Sequence, residues 1–220
     1  MILVLAPAML GSVWLALGLG YLCGSLPWGL WLGRWFRGID VRQHGSMNLG
    51  ATNVYRVLGP GLGLTTLALD ILKGAAPVWL IRGFAPALGP PPVQELLAVA
   101  AALGAVAGHI WTCFASFRGG KGVATTVGVL LALAPAAFGV FVAVFVATVA
   151  STRYVSLGST LGAVAFSVAL GWLTPSRTAS PTFWLGLLLA AVVVIRHREN
   201  FRRLLRGEER RFSLKGGGAA

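Results

Sequence analysis

Residues 122–152 run for 31 positions without a charged side chain, and residues 1–33 carry none either. A helix rises about 1.5 Å per residue, so about 20 apolar residues cross the ~30 Å hydrocarbon core of a bilayer. Both runs are long enough. Across the chain, 56% of residues are hydrophobic and 11% charged, about half the charge fraction of a soluble domain. The expected fold is an all-α integral membrane protein, a single polytopic domain over residues 1–220. A β-barrel would show weak alternating segments instead of long apolar runs. The first run lacks a basic leader and a cleavage signature, so it reads as a retained helix.

Seven spans follow from the apolar segments. They cover residues 1–23, 59–81 and 95–117, then two segments within 122–152, then 156–173 and 182–195. One long helix or two short ones folding back at Pro135 both fit the 122–152 run. Charge placement favours the fold-back. Arg34, Arg37, Arg42, Arg56, Arg118, Lys121, Arg153 and eight basic tail residues then share one side, against Arg82 and Arg177 on the other. That asymmetry puts the N-terminus outside and the C-terminus in the cytoplasm. The +12 net charge is therefore read as topology and anionic-lipid contact, and no nucleic-acid role is expected. The tail from about residue 196 to 220 is basic, and its start reads as a short interfacial helix. Cys23 and Cys113 lie in apolar runs and form no CxxC pair.

Two polar loops stand out against this background. The first, residues 45–56, contains Ser46, Asn48, Gly50, Thr52, Asn53 and Arg56. Its glycines let backbone N–H groups converge on an anion, its neutral side chains add donors, and Arg56 adds a forked cation. A plain turn before a helix capped by Thr52 is the simpler reading. The second loop, Gly119-Gly120-Lys121-Gly122, precedes an apolar helix. Free N–H groups at a helix start beside a lysine suit an anion, although the GxxxxGK[ST] spacing of a nucleotide loop is missing. In the expected topology both loops reach the same face as Ser156, His197 and Asn200. His197 and Asn200, three apart, share one side of a helical turn.

Other features are weaker or missing. Asp70 and Lys73 share a helical face and can pair; a structural ion pair and a direct chemical role are both open. His109 reads as a hydrogen-bonded packing residue, and His44 fits either role. None of the three histidines has an acidic residue five positions later. There is no G-x-S-x-G elbow and no carboxylate cluster for a metal, so neither metal nor cofactor is expected. The pattern suits one or two phosphorylated groups at the bilayer surface. A small membrane transporter of phosphate or another anion is the alternative. Transporter sites usually lie at the bilayer midplane among internal repeats, whereas these polar groups gather at one face.

Residues 45–59 (GSMNLGATNVYRVLG), residues 117–125 (FRGGKGVAT) and the pair His197-x-x-Asn200 resemble the three signature regions of the bacterial acyl-phosphate:glycerol-3-phosphate acyltransferases. Residues 24–29, 70–74 and 153–157 are similar to lesser patterns of that family. Met47 stands where the family commonly has glycine, and Leu49 where it has Ile or Pro. The resemblance implies a seven-helix bacterial inner-membrane enzyme with a cytoplasmic active site. Its substrates would be acyl phosphate and glycerol 3-phosphate, and its products lysophosphatidic acid and phosphate. It implies substrate contacts for Ser46, Arg56, Lys121, Ser156, His197 and Asn200. The loop reading adds Asn48, Gly50, Thr52, Asn53, Gly119, Gly120 and Gly122. Lys121, Ser46 and His197 are the catalytic candidates.

Overall fold

The computed structural model describes residues 7–84, 87, 89–174 and 180–212. The start of the first expected span, part of the 85–92 loop, Arg177 and the tail beyond Phe212 lie outside the described residues. Among those described, every regular element is helical. The helices are α1 (Pro7–Gly24), α2 (Trp28–Arg37), α3 (Ala51–Leu58), α4 (Pro60–Gly83), α5 (Pro91–Ile110), α6 (Val123–Leu133), α7 (Pro135–Thr152), α8 (Val155–Leu173), α9 (Pro181–Arg196) and α10 (Arg198–Leu205).

Prolines set many of these boundaries. Pro60, Pro91, Pro135 and Pro181 each stand in the first turn of their helices, where the missing N–H costs nothing. Pro135 divides the long uncharged run into α6 and α7, as the fold-back reading expects. The third span starts earlier than the sequence suggests and runs from Pro91 to Ala115, but its regular helix ends before that. Helix α5 stops at Ile110, followed by a single 3-10 turn at Cys113–Ala115. Thr112 caps that turn through Phe114 N–H, and Ser116 and Phe117 are both left-handed (φ 56° and 57°). Two successive left-handed residues cannot continue a right-handed helix.

Among the described residues, five helical segments are long and apolar enough to cross a membrane, counting α1 with α2 as one. Helix α9 with α10, bent by 50°, makes a sixth. Helix α6 is apolar but has only 11 residues. Large apolar side chains such as Trp14, Leu15, Leu64, Val168 and Trp172 point outward and are exposed, an arrangement suited to lipid. Inside, α1 packs most extensively on α5, α7 on α8, and α4 on α6. At the α1–α5 contact, Gly20 and Gly24 lie against the backbone of Ala101 and Ala105. Small residues at this spacing let helix backbones touch where no hydrophobic drive separates protein from solvent.

The end of α6 shows how the break at Pro135 is satisfied. The carbonyls of Ala132 and Leu133 accept hydrogen bonds from the guanidinium of Arg82, the latter at 3.0 Å. These are among the terminal carbonyls that the end of α6 leaves without helical donors. Arg82→Ala is expected to cost about 1–2 kcal/mol. It should lower the thermal midpoint in detergent by a few degrees and leave turnover at low temperature within about twofold. Arg82→Lys should recover part of the loss.

Candidate active site

The first loop is held by its own asparagines. Asn53 is buried, and its amide donates to the carbonyls of Val41 (3.0 Å), His44 (3.1 Å) and Asn48 (2.9 Å). Its Oδ1 accepts from Ser46 N–H at 2.8 Å. Asn48 Oδ1 accepts from Gly50 N–H at 2.8 Å. The expectation that Asn53 donates to substrate is therefore corrected: its donors are already used to fold the loop. The helix start is also different from the simpler reading. Gly50, not Thr52, is the N-cap of α3, and no side chain caps it. Met47 is 70% exposed with φ 55°, the left-handed conformation that glycine adopts freely. The turn is thus kept despite the side chain.

The hydroxyl-bearing Ser46 and His44 are exposed on this loop. Ahead of it, Asp40 is gripped by Arg42 at 2.7 Å and by Arg34 at 3.0 Å. Hydrogen bonds from Arg42 hold its carboxyl well below the usual range. Thr52 and Arg56 stand four apart on α3 and share a face.

The second loop departs from expectation in one respect. The N–H groups of Gly119 and Gly120 donate to the carbonyls of Ile110 and His109, each at 3.1 Å. They fold the loop back onto the end of α5 and do not face a ligand. The carbonyl of Gly120 accepts from Arg196 at 2.8 Å. Gly122 is left-handed (φ 83°) and caps α6. The positive end of α6 and the Lys121 side chain are what this loop offers an anion. Lys121 Nζ donates to Asn200 Oδ1. Burial lowers the Lys121 pKa to about 8; Glu209 opposes that shift, while Arg203, Arg196 and Arg56 reinforce it.

His197 and Asn200 sit at the bend between α9 and α10, and both are buried. His197 Nδ1 lies 2.8 Å from the Val193 carbonyl, which assigns the proton to Nδ1 in the neutral ring. Burial and the nearby Lys121 lower its pKa to about 4, so the ring is neutral at physiological pH.

A residue that sequence reasoning missed lies between these groups. Glu209 Oε1 accepts from Ser156 Oγ (2.8 Å) and from the Asn200 amide (2.6 Å), and Oε2 accepts from Arg203 Nε (2.9 Å). Burial would raise its pKa, but the bonds from Asn200, Ser156 and Arg203 hold it below the usual range. Arg56 donates to the neighbouring Arg210 carbonyl at 3.2 Å. The segment is pinned further where Phe212 N–H meets the Arg153 carbonyl and its ring meets Tyr55. Arg56, Lys121, Ser156, His197 and Asn200 thus surround one carboxylate, which interacts directly with Ser156 and Asn200 and electrostatically with Arg56, Lys121 and His197. Arg196 and Arg203 were also missed. The available signal was an acidic pair, Glu208 and Glu209, in a mostly basic tail.

A family model described as glycerol-3-phosphate acyltransferase matches residues 14–207. The glycerol-3-phosphate acyltransferase of Anaeromyxobacter sp. (strain Fw109-5) is 44% identical over 214 residues, covering 96% of this chain and 100% of that protein. The one from Desulforudis audaxviator (strain MP104C) is 47% identical over 206 residues, covering 93% and 98%. Two crystal structures of PlsY (YgiH), an integral membrane glycerol 3-phosphate acyltransferase, share the fold. Its glycerol 3-phosphate form gives a TM-score of 0.79 at 33% identity, covering 94% of this chain and 96% of that one. Its lysophosphatidic acid form gives 0.78 at 32%, covering 94% and 98%. Sequence and fold agree, and the chain belongs to the glycerol-3-phosphate acyltransferase family.

Proposed function

We propose that this protein transfers a fatty acyl group from acyl phosphate to the 1-hydroxyl of glycerol 3-phosphate. The observation that carries the reading is the group of donors around the Glu209 carboxylate. Arg56, Lys121, Ser156 and Asn200 form a positive, partly dry setting in which an anion is already held. Two phosphorylated substrates repel each other in such a setting, so their approach needs fixed cations. The relatives crystallised with glycerol 3-phosphate and with lysophosphatidic acid support the same substrate and product here.

The reaction needs no acyl-enzyme, because phosphate is already a good leaving group. The glycerol hydroxyl oxygen bonds to the acyl carbonyl carbon, the carbonyl carbon's bond to the phosphate oxygen breaks, and the hydroxyl proton passes to a phosphate oxygen. His197, neutral near pH 7, is the second candidate acceptor. Lys121 and the positive end of α6 stabilise the departing phosphate. Arg56 and Asn200 hold glycerol phosphate, with Ser46, Asn48, Gly50 and Thr52 alongside, so that positioning supplies much of the rate. The acyl chain enters laterally from lipid.

The same reading gives the protein seven spans: α1, α4, α5, α6, α7, α8 and α9. They form one polytopic domain in the bacterial inner membrane with a basic cytoplasmic tail. The N-terminus is outside and the active site faces the cytoplasm, as the one-sided basic charge favours.

Purified protein supplied with palmitoyl phosphate and glycerol 3-phosphate should release lysophosphatidic acid and phosphate in equal amounts. Lys121→Ala and Arg56→Ala should each lose at least about 100-fold in kcat/KM while remaining folded, a loss of about 2.7 kcal/mol or more. Near-normal turnover in Lys121→Ala would remove that residue from the mechanism. The pH profile adds a second check. Lys121 is the cation below its pKa of about 8 and neutral above it. Activity should therefore fall as pH rises through about 8, and a rate that stays flat to pH 9.5 would contradict the role.

A further inference from the structure

A second polar cluster lies beneath the Lys121 loop, away from Glu209. Asp70 and Lys73 on α4 and His109 on α5 are all at most 5% exposed. Ionisable groups in the apolar interior are costly and are kept where they have a task. Lys73 Nζ is 2.8 Å from Asp70 Oδ1 and donates to the Leu26 carbonyl at 2.7 Å, in the break between α1 and α2. His109 Nδ1 lies 3.0 Å from Thr125 Oγ1 on α6 and 3.8 Å from Asp70 Oδ1. Thr112 donates to the Ser25 carbonyl. Helices α4, α5 and α6 and the break between α1 and α2 are stapled at this point.

Its position gives the cluster a purpose. The His109 carbonyl receives Gly120 N–H, and the His109 ring lies directly under Gly120, where an added Cβ would overlap Nε2. Gly120 precedes Lys121. The height and tilt of the lysine-bearing loop are therefore set by where the imidazole rests. Asp70, Lys73 and Thr125 set the imidazole in turn. Beside it is a cavity with room for one water centre, about 10 Å³, lined by Ser25, Asp70, Lys73, His109, Thr112 and Gly120 among others. Ser25 Oγ and Asp70 Oδ1 are buried without a well-aligned hydrogen bond, the Lys73 contact being a close ion pair of poor alignment. Two such orphans on a polar cavity of this size are what an internal water requires.

We propose that the Ser25–Asp70–Lys73–His109–Thr125 cluster, completed by one bound water, is a positioning site that fixes the Gly119–Lys121 loop for acyl transfer. His109 is the positioning residue and makes no contact with substrate.

The test is a double-mutant cycle on kcat/KM for acyl transfer, and it rests on the acyl-transfer reading. Wild-type protein without acyl transfer would fail that reading; an active wild type with the wrong cycle fails only this inference. Gly120→Ala alone should lose at least tenfold, because the new methyl meets the ring. His109→Ala alone should also lose at least tenfold. The double variant should be no worse than His109→Ala, since the methyl then has room; additive losses would overturn the proposal. Where His109→Ala does not fold, His109→Gln and Asp70→Asn serve instead. Each should lower kcat/KM several-fold with a thermal midpoint within a few degrees of wild type, and unchanged kinetics would overturn the proposal. A crystal structure in a lipid mesophase should hold a water within hydrogen-bond distance of both Ser25 Oγ and Asp70 Oδ1. Direct bonding of those atoms to protein groups would remove the water from the account.

Discussion

The Glu209 carboxylate is the contact on which the polar end of the bundle depends. Arg56, Lys121, Arg196 and Arg203 approach one another at the edge of a low-dielectric medium, where like charges repel strongly. Burial already weakens the proton on Lys121. A carboxylate in their midst offsets that repulsion and draws Ser156, Asn200 and Arg203 onto a single group. It also ties the segment after α10 to the rest of the molecule. The first loop, the second loop and the α9–α10 bend come from distant parts of the chain, and this one anion is common to the electrostatics of all three.

The apolar architecture was legible in the sequence because a bilayer leaves few choices. Uncharged runs read as helices, the one-sided basic charge favoured a break of the 122–152 run at Pro135, and Asp70 and Lys73 at i, i+3 could pair. Chemistry that depends on backbone bonding was less legible. Asn53 has the look of a ligand donor, yet each of its polar atoms closes the loop that carries it. The N–H groups of Gly119 and Gly120 resemble an anion nest until the end of α5 is seen to claim them. Glu209 was missed for another reason. A carboxylate pair among arginines carries no periodicity, and only folding brings Glu209 to Ser156, 53 residues away.

The two glycine-rich loops also differ in how they keep their shape. The first is self-supporting: Asn53 and Asn48 fold it from within, and Met47 is held left-handed at its tip. The second leans on its neighbours, with α5 carbonyls beneath it and Arg196 reaching across to Gly120. A change far from the reacting groups should therefore be felt at Lys121 sooner than at Ser46.

The shortness of α6 bears on where in the bilayer the reaction takes place. Eleven residues span only about 16 Å, roughly half the hydrocarbon thickness. Its far end meets the Arg82 guanidinium, and its near end follows directly on Lys121. Drawing a sixteen-carbon chain out into water would cost about 0.8 kcal/mol for each methylene exposed, more than 10 kcal/mol in all. On the proposed acyl-transfer reading, a donor that stays in the membrane avoids that extraction, and its product forms already among lipids.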